Sequence, residues 1–355
     1  MKSPNHPQES KLPVLILSIL LALVVTVALT FATIEIPRIL SILLAEWGGP
    51  DVNPGMPAAE EFMKIARPIG YACLAIVIVL IIMGFIVKRK NLSTLGVIFF
   101  FLPTFGYFAA SMFFLAGLGI LRIPWTSLWE INLVKLGDIV FLPYMILTYL
   151  FALVGLDIRG FLVLSVTGLG FFIFLLGTIA WFYGKVEKRE TVRFWIYKYS
   201  RHPQYLGYIV WSYGVMLQAS LAPFPFGGSN PGASLPWLIS TLIVVCIALA
   251  EENAMSKKDR DTYLKYKEGT PFMFPIPKFV TSLVTAPIRI MFGKNWPENK
   301  KEMVGTFTVY CLIFVLLSLP FAVLNWPPGQ WWGFWPYNVW PFSTQPGTGP
   351  IFVPS

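Results

Sequence analysis

Two histidines, three cysteines and a charged fraction of only 13% are spread over 355 residues. His6 lies in a ragged N-terminal stretch, which leaves His202 as the lone imidazole among long apolar runs. A metal centre built from histidines is excluded on that count. Cys73, Cys246 and Cys311 each fall inside an apolar run, where cysteine acts as a small hydrophobe, so neither a disulfide framework nor a zinc site is indicated. Nucleic-acid motifs are absent too: the bases behind the net charge of +9 cluster beside apolar runs, which points to an anionic membrane surface.

What the chain has in abundance is apolar sequence. A hydrophobic content of 56% and a mean hydropathy of +0.66 exceed what a soluble core can bury, so the expectation is an all-α, polytopic transmembrane helical bundle. About eight spans are expected, at residues 12–33, 68–87, 95–121, 137–156, 161–183, 205–221, 235–250 and 303–323. The first has Lys2 and Lys11 before it and no convincing cleavage site, so it reads as a retained span rather than a signal peptide. Residues 34–64 turn acidic and breaker-rich and read as a loop with a short interfacial helix near residues 39–45. Asp157-Ile158-Arg159-Gly160 reads as a tight turn, and Gly168, Gly170 and Gly177 as sites of close helix packing. Lys257, Lys258, Arg260, Lys265 and Lys267 read as the solvated stripe of a surface helix, and residues 276–292 as a segment along the interface. After Asn325 there is no charged residue, and Trp326, Trp331, Trp332, Trp335 and Trp340 suit the headgroup belt.

Between Lys185 and Lys301 lie 16 of the 27 Lys/Arg residues, which makes that face cytoplasmic. Eight spans then put Lys88-Arg89-Lys90 on the far side. Either a span between residues 92 and 183 is miscounted or the larger cluster outvotes the smaller, and the second reading is taken.

Polar chemistry concentrates in two places. Residues 197–208 read Tyr-Lys-Tyr-Ser-Arg-His-Pro-Gln-Tyr-Leu-Gly-Tyr, where Pro203 keeps His202 out of a helix and Gly207 allows another group close to the backbone. Glu251-Glu252 closes the apolar hairpin that follows. Two spans joined by a short turn begin and end on one side of the membrane, so Arg201 and His202 are expected to meet the two acids.

This ordered set, with Tyr263-x-x-Tyr266 and a close from Pro271 to Pro275, resembles the integral-membrane methyltransferases typified by isoprenylcysteine carboxyl methyltransferase and the phospholipid methyltransferases. The resemblance covers residues 185–277, about a quarter of the chain. It implies a C-terminal module that binds S-adenosylmethionine, with Val192, Tyr197, Arg201, His202, Pro203, Gln204, Tyr205, Gly207, Glu251 and Glu252 as cofactor contacts and no catalytic residue assigned. Within such a site the acids would accept from ribose hydroxyls or the ammonium, Arg201 and His202 would hold the carboxylate, and Tyr197, Tyr199 and Tyr205 would stack. Trp195-Ile196 replaces the family's Gly-Pro, Asp259-Arg260 replaces its Phe-Gly, and residues 245–250 lack the arginine that holds a prenylcysteine carboxylate. The acceptor implied is therefore another lipid-like molecule, amine-bearing or hydroxylated.

The organisation that follows is an N-terminal set of spans over residues 1–183 on the acceptor side, a cofactor module over 184–277, and an interfacial helix, last span and Trp/Pro-rich tail over 278–355. A sterol- or steroid-reductase-like enzyme using NADPH is the first rival, because that group shares a similar Arg-His-Pro-x-Tyr-x-Gly stretch. It usually continues with Asp or Glu, where this chain has Tyr208. A transporter or scaffold, the second rival, leaves both polar segments without a purpose.

Overall fold

A computed structural model describes residues 11–48, 68–73, 75–76, 79, 135–189, 191–221, 234–258, 260–274 and 276–323. Every regular element among them is helical. The helices with described bounds are α1 (Lys11–Gly48), α2 (Leu142–Ala152), α3 (Arg159–Val186), α4 (Pro203–Leu221), α5 (Ser234–Lys258), α6 (Arg260–Gly269), α7 (Lys278–Phe292) and α8 (Lys300–Val323), and residues 68–73, 75–76 and 79 are helical as well. Short 3-10 segments at Lys135–Phe141 and Trp195–Lys198 precede α2 and α4.

Among the described residues four helices are long and apolar enough to cross a bilayer, within α1 at Leu12–Ala32, in α3 at Arg159–Val186, in α5 at Trp237–Lys257 and in α8 at Lys300–Phe321. Leu164, Leu169, Phe172 and Leu176 lie exposed on α3, and Val304, Leu312, Leu316 and Leu317 on α8. Exposed apolar faces of that extent fit hydrocarbon as the surrounding solvent. The expected span at residues 95–121, most of that at 68–87, the Lys88-Arg89-Lys90 cluster and the tryptophan-rich tail lie outside the described residues.

Three expectations need correction. The chain does not loop out at residue 34, because α1 continues to Gly48. A single proline, here Pro37, removes one helical hydrogen bond without having to end the helix, and Gly48 is the last described residue of α1. Along this extension Glu35 is buried and accepts a hydrogen bond from Tyr71 Oη at 3.1 Å. The stretch 137–156 is not one α-helix: it opens as the 3-10 segment, and α2 holds only 11 residues. Pro143, in the first turn of α2, fixes where the α-helix starts, since its missing N–H is harmless there. Gly168 is no packing site either, because a Cβ there would meet nothing within 4 Å.

The helix α4 sits at the centre, with Tyr205, Leu206, Tyr208, Trp211, Met216 and Leu217 all buried. It packs most extensively on α3. Glycine permits this: a Cβ on Gly170 would stand 2.1 Å from Trp211 N, and one on Gly207 2.3 Å from Phe174 N, so the backbones touch where side chains are missing. Gly177 meets Gln204 in the same way. On the other side α5 packs against α4, α6, α8 and the Lys135–Phe141 segment. At that end of the bundle Ser234 Oγ donates to Asp138 Oδ1 at 2.5 Å, and Ile139 N donates to Ser318 Oγ at 3.2 Å.

Candidate functional site

The sequence around residue 200 builds its geometry locally. A proline at the first position of α4 suits a helix start, and the residue before it is pushed out of the helical region. His202 is thereby held at the mouth of α4, its carbonyl accepting the first helical bond from Leu206 N at 2.9 Å and its N–H donating to Ser200 Oγ at 3.2 Å. Arg201 points the other way, toward the end of α6. There its Nη1 donates to the carbonyls of Lys267 and Thr270 at 2.9 and 2.5 Å, and its backbone N–H donates to Pro271 O at 3.0 Å. A guanidinium suits this place, because the last carbonyls of a helix lack internal donors and carry the negative end of its dipole.

Glu252 reaches the same point from α5. Its Oε1 accepts from Arg201 Nε at 2.6 Å and lies 3.2 Å from His202 Nε2, and its Oε2 lies 3.4 Å from Lys267 Nζ. The side chains of Arg201, His202 and Glu252 are 4%, 4% and 2% exposed. Two segments fifty residues apart thus share one buried ion cluster. Glu251, one residue earlier, turns elsewhere. Neighbours on a helix project about 100° apart, and Glu251 Oε1 accepts instead from Tyr205 Oη at 2.7 Å. The acids expected to act as a pair are split between two partners.

Aromatic side chains border the cluster. The His202 ring lies 5.1 Å from Phe272 and 5.6 Å from Tyr205, and Trp296 stands 5.5 Å from Phe272 with Lys267 Nζ 5.3 Å above it. Tyr197 is buried, its carbonyl accepts from Tyr266 Oη at 2.8 Å, and burial pushes its phenol well above the usual tyrosine range. Burial likewise raises Tyr263 and Tyr266, keeping both neutral.

Other expected contacts have packing partners. Gln204 Nε2 donates to Thr178 Oγ1 of α3 at 3.4 Å, Pro203 is fully buried, and the group that approaches Gly207 is the α3 backbone. Val192 is buried against Gly184, Ala180 and Tyr197. Tyr199, expected to stack, is 71% exposed. Lys267, read as part of a solvated stripe, turns inward to Glu252. It follows Tyr263 by four residues and so shares the face that α6 presents to α5, a helical spacing visible in the sequence. No sequence pattern marks Phe272, and the signal for Trp296 is an isolated tryptophan in the charged Lys294–Lys300 loop.

The donor set can be tested against S-adenosylmethionine. Glu251 is a half-buried acceptor, and Glu252 Oε2, buried with the Lys267 ammonium at 3.4 Å, lies beside the buried phenol of Tyr263. Lys267 supplies a half-buried cation, and Arg193 stacks 5.4 Å from the Tyr266 ring with its own Nε buried and unpartnered. With the faces of Tyr205, Phe272 and Trp296, acceptors, cations and aromatic surface are all present, so the residues fit the group. Arg201 is a poor contact, since its Nε and Nη1 are already committed to Glu252 and α6. Comparison of the chain with protein-family models, with curated proteins and with solved structures finds no match.

Proposed function

We propose that the chain is an integral-membrane methyltransferase that takes S-adenosylmethionine into the cluster between α4, α5 and α6 and methylates a lipophilic acceptor arriving from the bilayer. The observation that carries the reading is the meeting of His202 with Glu252 at 3.2 Å, with Glu251, Tyr205 and Lys267 around them. When bound, the cofactor supplies an electrophilic methyl group on a sulfonium sulfur.

This chain's residues hold and orient. Glu251, steadied by Tyr205 Oη, accepts from ribose hydroxyls or the ammonium, and Lys267 with Arg193 offers positive charge to the carboxylate. Phe272, Tyr205 and Trp296 present ring faces to the sulfonium. Arg201 and Glu252 are the frame: their buried pair fixes the end of α6 against α5, so the binding groups need little reorganisation. In-line displacement draws its rate from such alignment and from exclusion of water. An acceptor amine passes its proton to Glu251, whereas a carboxylate acceptor needs no base. The acceptor class is an amine-bearing or hydroxylated lipid, because residues 245–250 hold no arginine for a carboxylate. In this reading the cofactor end faces the cytoplasm, within a bundle of about eight spans.

Calorimetry on protein in lipid nanodiscs tests the reading. S-adenosylhomocysteine binds at one site per chain and weakens about tenfold in Glu251→Gln, equivalent to about 1.4 kcal/mol, while NADPH gives no heat. Binding of NADPH alone replaces this reading with the reductase, and binding of neither leaves a non-catalytic role.

A further inference from the structure

Two surface features of α7 are unused by the cofactor site. Phe279 and Leu283 are each 73% exposed and Ile290 is 84% exposed, and at spacings of four and seven residues they form one stripe, flanked by Val284 and Met291. Thr285 and Ile288 face inward and are buried. The apolar stripe therefore points away from the protein. Residues 278–302 carry five basic and two acidic residues; Lys294 is paired with Glu298 and Glu302 at 2.9 and 3.0 Å, while Arg289, Lys300 and Lys301 are exposed.

We propose that α7 is a docking surface for an anionic membrane leaflet, its Phe279/Leu283/Ile290 stripe in the acyl–headgroup boundary and Arg289, Lys300 and Lys301 against lipid phosphates. Three observations select that occupant. The helix α8, itself exposed along Val304, Leu312, Leu316 and Leu317, is tied to α7 by the Tyr310 Oη to Val284 carbonyl hydrogen bond and by Phe292 against Gly305. The flanking charge is net positive, five basic residues against two acidic ones, and both acids lie against Lys294. No acidic residue occurs in α7 itself, so nothing in the helix repels an anionic headgroup.

The seating reaches the ion cluster through a short lever. Gly293 ends α7 in a left-handed conformation, φ +70°, its N–H bonded to Arg289 O at 2.9 Å. Three residues on, Trp296 packs against Phe272 and Lys267, and Pro297 O accepts from Asn253 Nδ2 of α5 at 2.9 Å. Docking of α7 thus holds Trp296 over Lys267. The inference is independent of which nucleotide the cluster binds.

The test uses the full chain with Cys73, Cys246 and Cys311 changed to alanine and an environment-sensitive fluorophore on Leu283→Cys or, for the polar side, Ser282→Cys, in nanodiscs of phosphatidylcholine with or without phosphatidylglycerol. The probe at 283 shifts to the blue and is quenched by headgroup-proximal nitroxide lipid, more so with phosphatidylglycerol, while the probe at 282 stays open to aqueous iodide. Arg289→Gln/Lys300→Gln/Lys301→Gln removes the dependence on lipid charge. In the chain with native cysteines, Lys267 is acetylated by a water-soluble reagent more slowly in the anionic discs, as read by mass spectrometry. Iodide quenching at 283 in both lipids, shielding from both quenchers as a protein partner or second copy would give, or lipid contact indifferent to phosphatidylglycerol each overturn the docking. Equal acetylation rates overturn the link to the cluster.

Discussion

Replacing Arg201 with methionine keeps much of the side chain's length and removes its charge. Three hydrogen bonds disappear: one to Glu252 Oε1 at 2.6 Å and two to the Lys267 and Thr270 carbonyls at 2.9 and 2.5 Å. Breaking a buried ion pair from one side costs about 3–5 kcal/mol, since the remaining charge stays desolvated. Here the Lys267 ammonium, 3.4 Å from Oε2, remains to compensate Glu252, which puts the loss at the lower end, while the orphaned end of α6 adds about 1–3 kcal/mol. A fall in Tm on the order of 10 °C follows. Thermal unfolding read by a thiol-reactive dye suits the assay, because Cys73, Cys246 and Cys311 are free and half-buried. Lys198→Met, at an exposed position three residues away, serves as the control and stays within about 0.5 kcal/mol of the parent. Arg201→Met combined with Glu252→Met loses clearly less than the sum of the single changes. A parent-like Tm for Arg201→Met, or strict additivity in the double variant, refutes the role given to the cluster.

Gly170→Ala and Gly207→Ala force a methyl to within 2.1 and 2.3 Å of backbone nitrogen on the facing helix, so each lowers stability by at least about 1–3 kcal/mol, whereas Gly168→Ala, facing open space, is neutral or slightly stabilising in the same melting assay. Ser234→Ala removes the donor 2.5 Å from Asp138 Oδ1 and costs about 1.5–3 kcal/mol, checked by Tm with Ser282→Ala as an exposed comparison. Stability also falls in alkali. Burial raises the phenols of Tyr197 and Tyr266 above the ordinary value of 10.0. A group whose folded value is raised contributes fully below its unfolded value and loses that contribution as pH climbs through the folded one. Tm therefore declines above about pH 10, and Tyr197→Phe makes the decline shallower.

The sequence was most legible where physics leaves few options. Long uncharged runs require a bilayer, and α3, α5 and α8 begin and end within a few residues of where the apolar text does, except that α5 runs on to Lys258 through the two acids. The rule that a short hairpin returns to its own side brought His202 to Glu252. Roles were less legible than places. Gly207 looks like a ligand-approach glycine, yet the approaching backbone is that of α3, because a close helix pair and a cofactor leave the same mark on a sequence. Glu251 and Glu252 read as one pair, but the 100° helical step sends them to different partners. Lys267 read as solvated because a charge on a polar helix usually is, and only the packing of α6 on α5 turns it inward. Trp296 depends on the path of the chain after α7, which no local pattern encodes.

Photolabelling with methyl-tritiated S-adenosylmethionine under ultraviolet light, followed by peptide mapping of the full chain in nanodiscs, bears most directly on the central claim. The account predicts label within residues 197–208, 245–258 and 263–272, suppressed by S-adenosylhomocysteine and untouched by NADPH. Label confined to other segments, or label that S-adenosylhomocysteine does not displace, contradicts it.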